Sequence, residues 1–189
     1  MSAVVAKLAQ ATVHYWPSAQ RGGVGVGHIA VRFSNGLYIS HVPDLGTGEV
    51  VGHRESLPGS SRKNWVIKRH GSLRGRTLKL DEDKFGRTWE AITLPEKFLT
   101  FPMQQRGKAF LLANAEGEDP LHGPLPHYQI GDSKEGAGDR QQCATTTAMV
   151  VASGLTLDMQ DHYKQIIAEY MPDALWDTLK GLVARLAGQ

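Results

Sequence analysis

The chain of 189 residues carries a single cysteine, Cys143. A lone thiol can form neither an internal disulfide nor a multi-thiolate metal site, which leaves inert core filler or nucleophile as its uses. Charge of one sign is also scarce. The formal balance is +2, and the 21 Lys and Arg are spread along the chain with only a modest concentration between residues 54 and 76. Aromatics are few at 7% and do not interleave with the basic residues, so no nucleic-acid partner is expected. No window approaches the roughly 18 apolar residues of a membrane span, so no transmembrane segment is expected. Met1-Ser2-Ala3-Val4-Val5-Ala6-Lys7 lacks a charged start followed by a long apolar stretch. It predicts a protein made in the cytoplasm without a signal peptide. None of the eight histidines shows His-x-x-x-His spacing, so no metal or other cofactor is expected. Repeats and low-complexity tracts are missing too, and the length suits a single domain over residues 1–189.

What is present reads as α+β. Thr12-Val13-His14-Tyr15-Trp16 is rich in strand formers and stops at Pro17. The glycine-rich run from Arg21 to Gly27 leads into a strand pattern and not a helix, so it lacks the geometry that cradles a nucleotide phosphate. His28 to Phe33 and Leu37 to Val42 form two strands around Ser34-Asn35-Gly36, a turn in which Gly36 can take the left-handed conformation. Pairing Phe33 with Leu37 gathers Ile29, Val31, Phe33, Leu37 and Ile39 on one apolar face and puts His28 and Ser40 together on the other. A two-residue Asn35-Gly36 turn would instead place His28 beside His41. The first register separates apolar from polar more cleanly. Residues 65–69, 77–80 and 88–94 are further strand candidates, and together these segments predict one antiparallel sheet. A helix is expected over residues 95–114, with a break at Pro102, then a long Gly, Pro and charge-rich loop over 116–139. Residues 158–170 and 172–186 read as amphipathic helices, the second with Leu175, Leu179, Leu182, Val183 and Leu186 as its core stripe.

The segment after Cys143 gives the thiol its interest. Residues 144–153 are small and apolar and end at Gly154, a buried helix with glycine at its stop. Cys143 therefore falls at the first helical turn, where unpaired N–H groups and the helix dipole favour a thiolate and can hold a developing oxyanion. A cysteine hydrolase needs that thiolate, an imidazole to move its proton, and a polar group to hold the imidazole. Cys143 is the candidate nucleophile, His28 the candidate base, and Ser40 or His41 the group that orients it. Tyr128 and Gln142 are candidates for holding the oxyanion beside the backbone N–H of Cys143.

Gly27-His28-Ile29-Ala30-Val31-Arg32-Phe33 with Leu37-Tyr38-Ile39-Ser40-His41-Val42-Pro43, and Gln142-Cys143-Ala144-Thr145-Thr146-Thr147-Ala148, resemble motifs of the permuted papain-like cysteine hydrolases. That group includes circularly permuted NlpC-type cell-wall peptidases and lecithin:retinol acyltransferase-like enzymes. The likeness spans about thirty residues. It implies a papain-like, circularly permuted fold in which an antiparallel sheet packs against the helix carrying the cysteine. It also implies Cys143 as nucleophile and His28 as base. An ungapped hairpin puts Ser40 at the orienting position, and His41 needs a one-residue slip. Gln142 departs from the asparagine usual before the cysteine. This form of the motif is most similar to small bacterial toxins delivered by type VI secretion, which cut peptidoglycan amide bonds in a rival's periplasm. The implied partners are peptidoglycan or another amide substrate, the secretion apparatus and a cognate immunity protein. Two alternatives stay open: a lipid-ester acyltransferase or phospholipase of the same group, and a non-enzymatic binding module with a relic site.

Overall fold

The computed structural model describes residues 9–17, 27–43, 51–55, 64–69, 71–72, 76–88, 90–116, 118–119, 123–124, 128–130, 142–169 and 171–188. In chain order these form β1 (Ala11–Trp16), β2 (His28–Phe33), β3 (Tyr38–Ile39), β4 (Val42–Pro43), β5 (Val51–Glu55), β6 (Asn64–Arg69) and β7 (Gly71–Ser72). There follow α1 (Leu78–Phe85), β8 (Glu90–Thr93), α2 (Thr100–Glu116), β9 (Glu118–Asp119), β10 (Gly123–Pro124) and β11 (Tyr128–Ile130). The carboxyl-terminal part comprises α3 (Cys143–Ala152), a 3-10 segment (Leu157–His162), α4 (Tyr163–Ala168) and α5 (Pro172–Ala187). The chain is thus a mixed α+β structure.

Its central sheet is antiparallel, in the order β3-β2-β1-β8. The β2–β3 register pairs Val31 with Ile39 and Arg32 with Tyr38. The turn closes as Phe33 N–H donates to Leu37 O at 2.8 Å and Gly36 N–H donates to Phe33 O at 3.0 Å. Gly36 has φ +92°, the left-handed region that this three-residue turn requires. The register is the one that puts His28 and Ser40 on a shared face.

Five of the six residues of β2 are buried, because helices cover both faces of the sheet. Ala11, Val13, Tyr15, Ile29, Val31, Phe33 and Ile39 face α2, α3 and α5, whose Met103, Phe110, Ala148, Leu175, Leu179 and Leu182 complete the main core. Each large apolar side chain sealed here contributes roughly 1.5–3 kcal/mol. In α5 the buried Leu175, Leu179 and Leu182 recur at helical spacing, with Val183 and Leu186 half-buried beside them. Tyr15 stacks on Trp176 at 4.9 Å and its hydroxyl donates to Asp173 at 2.8 Å, tying β1 to α5. On the other face Trp16, Ala30 and Tyr38 pack under Leu78 and Phe85 of α1. In α3 every residue except Met149 is buried, and most are small, so the helix lies close on β2, with Thr147 Oγ1 donating to Ile29 O at 3.3 Å.

Several elements differ from their sequence reading. Residues 77–80, expected as a strand, open helix α1: Thr77 is the N-cap and accepts from Leu80 N–H. The alternation of Leu78 and Leu80 misleads, because Leu80 is 45% exposed and Asp81 is the residue turned inward. The expected single sheet divides, since β6 belongs to a separate three-stranded sheet in the order β11-β6-β5. Residues 95–98 form a turn, with Phe98 N–H donating to Pro95 O at 2.9 Å, and helix begins only at Thr100. Pro102 then falls in the first turn, where a missing N–H leaves no hydrogen bond unmade, so it breaks nothing. The expected loop over 116–139 contains β9, β10 and β11. The last part of that loop and the glycine run before Gly27 lie outside the described residues, as does Trp89. Residues 158–170 are shared between the 3-10 segment and the short α4.

Candidate active site

His28 is the first residue of β2, and Cys143 is the first residue of α3. The helix lies across one face of the sheet, and its amino end reaches the strand's beginning. There the thiol sits beside the His28 ring, close enough to raise its pKa, and lies 4.0 Å from Gly27 O. Gln142, in extended conformation, caps the helix: its N–H donates to Thr145 Oγ1 at 2.8 Å, and its carbonyl accepts from Thr146 N–H at 2.9 Å. This cap fixes the helix start at Cys143, so the first-turn N–H groups beside the sulfur have no carbonyl one turn back.

The imidazole is clamped. Its ring stacks on Phe85 at 4.3 Å and lies 5.2 Å from Trp16. Nε2 is 3.0 Å from Ser40 Oγ and 3.1 Å from Asp81 Oδ2. An ionised carboxylate only accepts, so Nε2 carries the proton. That leaves Nδ1 as the nitrogen to exchange a proton with the thiol. Asp81 Oδ2 also accepts from Tyr38 Oη at 2.7 Å and from Ser40 Oγ, while Oδ1 takes Arg76 Nη2. Asp81, at 0% exposure, is the hub of the polar cluster.

The protonation preferences follow from this packing. Burial pulls Asp81 upward, but His28, Ser40 and Tyr38 outweigh it and hold the carboxyl well below the usual carboxylate range. For His28, burial works against the charged ring, yet Asp81 and Cys143 together raise its pKa above that of an ordinary histidine. Burial first, and then the adjacent charge of Asp81, raise the Tyr38 phenol, which stays a donor. The site thus favours an imidazolium facing the sulfur and a carboxylate behind it.

Of the other predicted residues, one joins this cluster and the rest do not. Ser40 meets His28 as the first register requires. His41 points to the opposite face, where Nδ1 lies 3.0 Å from Thr146 Oγ1. Burial, and then the positive His28, push its pKa down to about 3, so it is held neutral. Gln142 is 2% exposed at the helix cap. Tyr128 starts β11 and pairs with Arg69, and its side chain lies outside the described residues.

Sequence reasoning missed Asp81, Tyr38 and Arg76. A signal existed for the first: read as a helix capped by Thr77, residues 78, 81 and 85 share one face, so an acid interrupts an otherwise apolar stripe. Compared with known proteins, the chain matches no family model, no curated protein and no solved structure.

Proposed function

We propose that the protein is a cysteine hydrolase acting on amide bonds, with Cys143 as nucleophile, His28 as acid and base, and Asp81 as the group that orients the imidazole. The observation that carries this reading is one line of contacts: thiol to imidazole to buried carboxylate. In the proposed reaction the thiolate attacks the amide carbonyl, and the oxyanion collects on the first-turn N–H groups of α3. His28 gives its proton to the leaving amine as the C–N bond breaks, leaving a thioester and a free amine. His28 then takes a proton from water, which attacks the thioester and releases the acid and the thiol. Ser40 braces the carboxylate and ring. Cys143 is 1% exposed, so a substrate carbonyl reaches the sulfur only once its cover opens.

The motif resemblance to permuted papain-like enzymes supports the order of parts, a histidine strand before a cysteine helix. It points to peptidoglycan peptide stems as substrate and to a toxin injected into a rival's periplasm by type VI secretion, countered by an immunity protein. Digestion of purified sacculi followed by mass spectrometry of the released fragments tests this. The wild type should release new amine and carboxyl ends, and Cys143→Ala should release none. Equal products from both proteins would remove the thiol from the reaction. An alkylation pH profile in which Cys143 titrates like an ordinary thiol, whatever the absolute rate, would favour a relic site instead.

A further inference from the structure

At the turn end of β2 and β3 lies a cavity of about 530 Å³, within the range of small-ligand sites. Its lining includes Tyr38 and Arg76, both bonded to Asp81, so it adjoins the carboxylate end of the polar cluster and not the sulfur. Its floor includes Gly36 and Leu37, whereas His28 opens β2 at the opposite end, roughly 16 Å along the strand. Leu37, Leu78 and Leu111 give it an apolar wall, and Arg32, Arg76 and Lys79 give it charge.

Those cations are committed to different degrees. Arg76 spends Nη2 on Asp81 and its Nε is sealed from solvent, so it lends the cavity charge but no free donor. Lys79 shares its ammonium with Asp83 at 2.8 Å in the open. Glu82, the acid in the lining, accepts from the Thr88 hydroxyl at 2.9 Å through Oε1. Arg32 has no ion-pair partner among the described residues. The amino end of α1 adds to this. Thr77 accepts from Leu80 N–H and Asp81 N–H, so the donors left over belong to Leu78 and Lys79, both in the lining. A guanidinium without an ion pair and a helix start converge on one space, and an acceptor with negative charge satisfies both.

We propose that this cavity binds a carboxylate attached to a short apolar group, with Arg32 as counter-charge and the α1 N–H groups as donors. A small free acid and the carboxyl end of a peptide share that chemistry. Calorimetric titration at low salt with N-acetyl-alanyl-alanine, its carboxyl-terminal amide and butyrate separates them. The acid peptide should bind about tenfold or more tightly than its amide, the loss expected for a charge-assisted contact. Arg32→Gln should weaken binding by a similar factor and Arg32→Lys by much less. Butyrate matching the peptide supports the site with a small acid as its source; peptide binding without butyrate supports it with a peptide end. Equal binding of acid and amide, unchanged binding by Arg32→Gln, or no heat at millimolar ligand would overturn the proposal. Should Arg32→Gln fail to melt cooperatively, the acid-to-amide ratio of the wild type decides alone. Because the titration needs no turnover, its outcome stands apart from any result with sacculi.

Discussion

Replacing Asp81 by Asn removes one charge from a buried cluster and leaves its volume nearly unchanged. Asp81 accepts from His28, Tyr38, Ser40 and Arg76. The amide of Asn offers one oxygen and two N–H groups, so it cannot serve the same donors. Removing one partner of a buried pair costs about 3–5 kcal/mol. Arg76 is 15% exposed and can recover some hydration, which favours a value of about 3 kcal/mol. With a urea slope of roughly 2 kcal/mol per molar, the midpoint should fall by roughly 1.5 M.

The pH dependence is the sharper test of this substitution. The Asp81 pKa is depressed by folding, so its stabilisation is present above the unfolded value of about 3.9 and lost as pH falls below it. The His28 pKa is raised by folding, so its stabilisation is full below the unfolded value of about 6.5 and lost as pH rises through the folded value. The difference between wild type and Asp81→Asn should therefore peak between about pH 4 and 6.5 and narrow on both sides. In the variant only Cys143 is left to oppose the effect of burial on His28, so alkylation of Cys143 by iodoacetamide should change its pH profile. An unchanged urea midpoint at pH 5.5, or a gap that stays constant from pH 3 to 9, would refute the electrostatic account of the cluster.

Ser40→Ala removes a brace and leaves the charge, so urea unfolding should show a loss of about 1–2 kcal/mol and the alkylation profile should move less than in Asp81→Asn. A larger shift for Ser40→Ala would reverse the assigned roles. His41 is held neutral with its pKa at about 3, so its stabilisation is present above the unfolded value of about 6.5 and fades as pH falls. His41→Gln should accordingly flatten the loss of stability between pH 6.5 and 3, and an unaltered slope in urea midpoints would contradict this. Gly154→Ala sets a methyl 2.6 Å from Met103 Cγ and 3.0 Å from Leu99 O, with Met103 fully buried. A loss of about 1–3 kcal/mol is expected in thermal melts, and a neutral result would mean that the 99–103 segment shifts freely.

The hairpin and the cysteine helix were legible because local chemistry specifies both. Gly36 sets a three-residue turn, and the turn then dictates that His28 and Ser40 share a face. Small residues ending at Gly154 define α3, and α5 announces itself through its leucines. Asp81 was harder to find, because its burial depends on partners distant in sequence: Tyr38 and Ser40 lie 43 and 41 residues away. Local pattern at Leu78 and Leu80 fits a strand as well as a helix, and only the Thr77 cap decides between them. The division of the strands into separate sheets is likewise a long-range matter. Residues 65–69 carry strand formers that say nothing of which strand they pair with.

The near absence of bulk along α3 has a consequence for how the site can change over time. Ala144 and Ala148 carry no chemistry, yet both are fully enclosed where the helix meets the sheet. A valine at either place would tilt the helix and drag the sulfur from the ring without touching either reactive group. Sequence drift in this protein should therefore be stricter at these silent alanines than at many charged surface positions, because the meeting of sulfur and ring depends on carpentry alone.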